Sequence, residues 1–100
     1  MAGRQDRYLI EAKAALDGAT GRLDRLNRLV ERTRGLDRRA WQRDLDHLRG
    51  ACNRVAARIE DVRRAPEDAW QTGRMPTDTA LAALLGELER LEGRITPLAA

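Results

Sequence analysis

The amino-acid sequence predicts an all-α protein, in which an antiparallel helical hairpin and a shorter third helix pack as a coiled-coil-like three-helix bundle. The composition is rich in charged residues, at 35%, and poor in aromatic ones, at 3%, with no Phe in the 100 residues. That profile is typical of long helices and coiled coils. Apolar residues also recur at alternating steps of three and four over most of the chain, which is the heptad spacing of packed helices.

The first helix is predicted over residues 5–34. Its apolar series occupies successive heptad a and d positions and consists of Leu9, Ala12, Leu16, Ala19, Leu23, Leu26, Val30 and Thr33. Gly35 and Asp37 follow this series. A glycine commonly ends a helix and an aspartate commonly caps the next one, so a turn is expected at Gly35–Asp37.

The second helix is predicted over residues 37–65, from a second heptad series. Its members are Trp41, Leu45, Leu48, Cys52, Val55, Ile59 and Val62. The two series mirror each other about the Gly35–Leu36 junction, so folding the chain there sets each a residue against a d residue. The result is an antiparallel hairpin whose arms of about 30 residues are each ~45 Å long.

Pro66 interrupts the second helix, because it lacks a backbone N–H and crowds the preceding turn. A kink or a short helical segment is expected over residues 66–72, followed by a turn at Gly73–Pro76. Trp70 in this segment is interpreted as a plug for the open end of the bundle, packed against Tyr8 and Leu9. An anchor for a partner protein is the alternative.

The third helix is predicted over residues 77–97. Thr77 and Asp78 follow a proline and are suitable residues for a helix start. The apolar series here is Leu81, Leu84, Leu88, Leu91, Ile95 and Leu98. A helix of this length is about 30 Å long, and it starts from the end of the hairpin opposite the turn. It is therefore expected to cover the hairpin around residues 9–20 and 52–65 and to stop short of the turn.

Composition also excludes several classes of protein. A chain of 100 residues forms a single small domain, residues 1–100. Its longest apolar run, 80–85, is far shorter than the ~20 residues that cross a bilayer, so a cytoplasmic protein is expected. Cys52 is the sole cysteine and cannot form an intrachain disulfide.

The sequence carries no recognisable catalytic pattern. His47 has no second His or Cys at helical spacing, so a metal site is not expected. A glycine-rich phosphate loop, a Ser/His/Asp set and a pair of carboxylates facing inward are also missing. We therefore expect a protein that is not an enzyme and has no cofactor, no metal and no small-molecule substrate.

Positive charge is concentrated near the turn of the hairpin. Residues 22–43, the hairpin tip, hold eight arginines against three acids. The arginines that we expect to contact phosphate are Arg28, Arg32, Arg38 and Arg39. Such a surface is able to bind nucleic acid or an anionic membrane, whereas a merely solvated charged face is the alternative.

The tip is also predicted to leave apolar side chains uncovered. If the third helix stops short of the turn, it leaves several apolar side chains of the tip exposed to water on one side. These residues are Leu26, Val30, Leu36, Trp41 and Leu45. Large apolar groups in a row are rarely left exposed. The sequence therefore predicts a homodimer packed tip against tip, or docking of a partner protein's helix, with Trp41 as the apolar anchor. An interaction or scaffolding protein follows, with phosphate binding through the tip arginines as the alternative function.

Three short motifs carry a resemblance to a family. They are Leu-Asp-Arg-Leu at 23–26, Ile-Glu-Asp-Val at 59–62, and Asp-Ala-Trp at 68–70 followed by Gly73. In these motifs and their order the chain resembles small uncharacterised bacterial coiled-coil proteins, some of which are labelled stress-induced. The resemblance implies a helical fold and no catalytic residues. The chain departs from the family pattern at Pro66, where the family usually has continuous helix.

Overall fold

The computed structural model describes residues 3–35 and 37–99, and within them the chain forms three α-helices. Helix α1 spans Arg4–Arg32, α2 spans Arg38–Arg64, α3 spans Gln71–Ile95, and a short 3-10 helix, Thr96–Ala99, follows α3. The molecule measures 53 Å along its long axis and 22 and 16 Å along the other two. The predicted all-α three-helix architecture is confirmed.

The turn between α1 and α2 lies where local sequence signals place it. Thr33 closes α1, because both its N–H and its hydroxyl donate to the carbonyl of Leu29. Gly35 has a φ of +85°, in the left-handed region that favours glycine. The side chain of Asp37 then caps α2 by accepting the N–H groups of Arg39, at 3.1 Å, and Ala40, at 3.3 Å.

The connection from α2 to α3 is a single tight turn. Helix α2 ends at Arg64, as expected from Pro66. The carbonyl of Pro66 accepts the N–H groups of Ala69, at 2.9 Å, and Trp70, at 3.1 Å. Helix α3 begins directly after this turn, so the chain reverses within six residues.

Helix α3 begins at Gln71, and the prediction that it begins at Thr77 is wrong. The predicted turn at Gly73–Pro76 is wrong for the same reason, since these residues are helical. Pro76 is exposed, and its fixed φ is compatible with a helix, but it leaves the carbonyl of Thr72 without its N–H partner and its ring crowds that carbonyl. The buried Thr77 hydroxyl donates to the carbonyl of Gly73 at 2.7 Å, which adds a side-chain bond in the same turn.

Two long-range contacts define how α3 lies on the hairpin. The Tyr8 hydroxyl donates to Asp78 at 2.6 Å, and Arg22 forms a salt bridge with Glu92. Both pairs are 70 residues apart, so α3 runs parallel to α1 in constant register. The six residues gained at its start lengthen the helix by ~9 Å. It therefore reaches the tip, and the prediction of an uncovered tip is wrong.

The core consists of two clusters. The main one extends along the bundle and consists of Ala19, Leu23, Leu26, Val30, Leu45, Leu48, Cys52, Val55, Leu84, Leu88, Leu91 and Ile95. The smaller one closes the end opposite the tip and consists of Tyr8, Ala12, Val62 and Trp70. Trp70 is only 4% exposed, and its ring centroid lies 5.6 Å from that of Tyr8. The interpretation of Trp70 as an end plug is confirmed.

Tyr8 ties the smaller cluster to α3. Burial, followed by the hydrogen bond to the carboxylate of Asp78, raises the pKa of Tyr8 to about 12, since both disfavour the phenolate. The guanidinium of Arg74 lies 5.4 Å from the centre of the Tyr8 ring. This end of the bundle therefore uses its aromatic side chains internally.

Two glycine-to-alanine substitutions are expected to affect stability differently. At Gly93, a methyl group has no described atom within 4 Å, whereas at Gly73 it would lie 3.2 Å from Cγ2 of Val62. Gly93→Ala should raise the free energy of unfolding by about 0.5–1 kcal/mol, through helix propensity alone. Gly73→Ala should give a smaller gain than Gly93→Ala or a loss, because Cγ2 of the buried Val62 must move to admit the methyl group.

Urea denaturation of the two variants measures this difference directly. An equal gain in both would show that α2 and α3 do not approach closely at Gly73.

Candidate functional site

The apolar residues predicted to form an interface at the tip lie mostly in the protein's own core. Leu26, Val30 and Leu45 are 4%, 1% and 0% exposed, and they belong to the same cluster as Leu91 and Ile95 of α3. The prediction that they are available to a partner is therefore wrong, because α3 covers them. Leu36 lies outside the described residues.

Trp41 is half-buried and packs against the edge of the main core. The guanidinium of Arg94, on α3, lies 5.0 Å from the centre of its ring, a distance at which a cation is attracted to an aromatic face. Arg94 also lies 3.9 Å from the carboxylate of Asp44. The predicted apolar anchor thus has one ring face occupied by its own chain.

The four arginines predicted to contact phosphate, Arg28, Arg32, Arg38 and Arg39, are all exposed. Together with Arg34 and Arg43, which are also exposed, we call them the tip arginines. Nη2 of Arg38 donates to the carbonyl of Glu31 at 2.8 Å, which holds that guanidinium against the end of α1. Arg28, Arg32, Arg39 and Arg43 lie off the core positions of their heptads, whereas Arg38 is the first residue of α2 and Arg34 lies in the turn between the helices.

Two of the three acidic side chains within residues 22–43 have other partners. The carboxylate of Asp37 caps α2. The carboxylate of Glu31 accepts the side-chain amide of Asn27 at 3.2 Å. Among the described residues, none of the six tip arginines lies within 4.0 Å of a carboxylate oxygen, in contrast to Arg22, which is paired with Glu92. The tip therefore carries a positive charge that the folded chain does not neutralise.

Arg22, unlike the six tip arginines, is neutralised by an ion pair with Glu92. Nε of Arg22 donates to Glu92 at 3.1 Å, and these hydrogen bonds lower the pKa of Glu92 and raise that of Arg22. Both charges are thereby committed to the contact between α1 and α3. Arg22 belongs to the predicted tip by number but is not available to a ligand.

The groups capable of nucleophilic or metal chemistry are scattered. Cys52 is buried, and burial raises the pKa of its thiol, which disfavours the reactive thiolate. Nε2 of His47 lies 3.5 Å from the carboxylate of Glu87. Across residues 3–35 and 37–99, no three or more His, Cys, Asp or Glu side chains are grouped in a way suited to a metal ion.

A second group of arginines, which sequence reasoning missed, flanks the groove between α2 and α3. Arg54 and Arg58 line it from α2, next to Ala51, Ala80 and Ala83, and Arg90 and Arg94 line its continuation toward the tip. A signal was present in α2, where arginines 39, 43, 54 and 58 are separated by steps of 4, 11 and 4 residues. Such steps keep side chains on one helical face. The contribution from α3 has no signal in the sequence.

In the part of the chain that the structure describes, no helix combines the length and the apolar character needed to cross a membrane. Comparison of the chain with protein-family models, with curated proteins and with solved structures gave no match.

Proposed function

We propose that the chain is a non-catalytic helical interaction protein that binds a phosphate-bearing partner through its tip arginines. One observation carries this proposal: six exposed arginines lie at one end of the bundle, and within the described residues no carboxylate pairs with them. At the opposite end, Arg63 and Arg64 share Glu60.

The chemistry of arginine favours phosphate as the ligand. A guanidinium presents several N–H donors in a planar fork that matches two phosphate oxygens, and it stays charged at all physiological pH values. A single exposed ion pair contributes little. Several of them on one polyanion act together, because each neutralised phosphate releases a condensed counterion. The tip therefore suits a partner with many phosphates.

Docking of a partner helix, the function first expected from the sequence, would require Leu26, Val30 and Leu45 to leave the core. These three side chains are buried in the single chain. Homodimerisation through the same residues has the same requirement. Phosphate binding requires no rearrangement, because the tip arginines are already exposed.

Chromatography on phosphocellulose tests the proposal without choosing the phosphate source. The test variant carries Arg28→Gln, Arg32→Gln, Arg38→Gln and Arg39→Gln. A control with the same net charge carries Arg4→Gln, Arg7→Gln, Arg63→Gln and Arg64→Gln, all at exposed positions of the opposite end. We expect the tip variant to elute at clearly lower salt than the control.

Equal elution of the two variants would contradict the proposal, because retention would then depend on net charge alone. Thermal unfolding followed by circular dichroism confirms that both variants keep the fold, which exposed substitutions rarely disturb.

A further inference from the structure

The arginines on the side of the bundle continue the charge of the tip along its length. We call Arg39, Arg43, Arg54 and Arg58 of α2, with Arg90 of α3, the lateral strip. All five side chains are exposed. From residue 39 to residue 58 the strip extends ~29 Å along α2, at 1.5 Å per residue. Positive charge therefore lies along about half of the long axis, which measures 53 Å.

The two acids that line the same groove contact basic side chains outside the strip. Asp44 lies 3.9 Å from Arg94, and Glu87 lies 3.5 Å from His47. Within residues 3–35 and 37–99, no carboxylate oxygen is within 4.0 Å of a strip arginine. Within the described residues the strip arginines therefore form no ion pair, as the tip arginines form none.

Glycine and alanine residues beneath the strip leave space at the surface of the helices. Nη1 of Arg54 lies 3.4 Å from the position that a Cβ would take at Gly50, and Nη1 of Arg90 lies at the same distance from that of Gly86. The guanidinium groups thus lie close to their helices. The groove between them is lined in part by Ala51 and Ala83, so a second cylinder can approach the bundle side by side.

We propose that the phosphate-bearing partner is a nucleic-acid duplex that lies lengthwise along the lateral strip and ends at the tip. This inference rests on the proposed function and adds the identity and orientation of the partner. A duplex is a rigid rod with one negative charge per ~1.7 Å of its axis. About eight base pairs span ~29 Å at ~3.4 Å per pair. A straight row of cations on a rigid helix matches such a rod.

A single strand is a poorer match for this surface. Proteins that bind single strands without sequence preference stack the bases on aromatic side chains. Tyr8 and Trp70 are buried at the far end, and Arg94 covers one face of Trp41. The contacts available along the strip are those to the phosphate backbone.

A lipid bilayer is also a poorer match. Peripheral membrane binding combines basic charge with apolar side chains that insert at the interface. Among the described residues, the large apolar side chains that are exposed are Ile10, Met75 and Leu98. Ile10 and Met75 lie near the starts of α1 and α3, away from the tip, so Leu98, in the 3-10 helix, is the one of the three at the tip end, and none of them belongs to α2. A bilayer touched by the end of the bundle would contact the tip and leave Arg54 and Arg58 unused.

Fluorescence anisotropy with a labelled DNA duplex of about 16 base pairs, titrated between about 50 and 200 mM salt, tests the inference. The strip variant carries Arg54→Gln, Arg58→Gln and Arg90→Gln, and leaves the tip arginines intact. The matched control carries Arg4→Gln, Arg7→Gln and Arg63→Gln. We expect the strip variant to bind at least about tenfold more weakly and its salt slope to fall by about 0.9 per lost phosphate contact. The control should stay near wild type.

The possible results separate this inference from the proposed function. Duplex binding that depends on the tip arginines and is unchanged in the strip variant would overturn the lengthwise orientation. A second result would overturn the nucleic-acid partner and leave the proposed function standing. In that case retention on phosphocellulose depends on the tip arginines, and the protein binds vesicles of equal phosphatidylserine and phosphatidylcholine but does not bind the duplex. If retention on phosphocellulose did not depend on the tip arginines, both the proposed function and this inference would be overturned.

Discussion

Leu45→Ala is expected to lower the free energy of unfolding by about 2–5 kcal/mol, the usual range for truncating a fully buried leucine. Leu45 is 0% exposed and lies among the residues of all three helices that form the main core. Removing its side chain leaves a cavity that the surrounding helices fill only in part. Chemical denaturation of the variant and the wild type measures the loss.

A matched leucine provides the control. Leu98, in the 3-10 helix, is 55% exposed, and Leu98→Ala should change stability by no more than about 0.5 kcal/mol. Light scattering on both variants, at low and high salt, decides between a core and an interface. If Leu45→Ala kept wild-type stability and converted a dimer to a monomer, the tip would be an intermolecular contact and the buried position of Leu45 would be wrong.

Trp70→Ala is expected to lower the free energy of unfolding by about 3–5 kcal/mol. Trp70 closes the end of the bundle, where it packs with Tyr8, Ala12 and Val62. Its backbone N–H donates to the carbonyl of Pro66, a bond that alanine would keep, so the expected loss comes from the side chain alone. Loss of the indole opens the smaller cluster to water.

The second tryptophan is the control for this substitution. Trp41 is half-buried, and its ring contacts Arg94 and the edge of the main core. Trp41→Ala should therefore cost clearly less stability than Trp70→Ala, because less apolar area is exposed on truncation. Thermal unfolding of both variants at matched concentration makes the comparison. A larger loss at Trp41 would contradict the assignment of Trp70 as the plug.

The two binding experiments use surfaces that these core substitutions do not touch. The tip arginines and the lateral strip are exposed, and only Arg38 has a described hydrogen bond to the backbone, to the carbonyl of Glu31. Binding and stability can therefore be measured as separate properties of the same chain. A binding loss without a change in unfolding identifies a contact residue.

Local signals in the sequence were sufficient for the hairpin. The heptad series places Leu23, Leu48 and Val55 in the core, since burial on a helix follows its period. Gly35 and Asp37 form the turn because a left-handed residue and a capping carboxylate act on their immediate neighbours. Exposure of Arg28, Arg32, Arg39 and Arg43 was predictable in the same way, because charged side chains off the core stripe stay in water.

Helix α3 shows where local signals were insufficient. Pro76 and Gly73 both argue for a turn when the residues are considered alone. In the folded chain Thr77 is buried against the bundle, and Gly73 allows the close approach to Val62. Packing against α1 and α2 outweighs the bond lost at Pro76. At the other end, Leu98 belongs to the predicted apolar series but is exposed, because the α-helix gives way to a 3-10 helix at Thr96.

The sequence by itself therefore determined the helices of the hairpin, its turn and the charge of its tip, all of which depend on residues close together in the chain. Only the tertiary structure decided that α3 covers Leu26, Val30 and Leu45, and that Arg90 lies beside the groove that Arg54 lines. The physical reason is that both outcomes depend on where α3 starts and how it is registered against α1. That register is set by contacts such as Tyr8 with Asp78, 70 residues apart, which no local periodicity encodes.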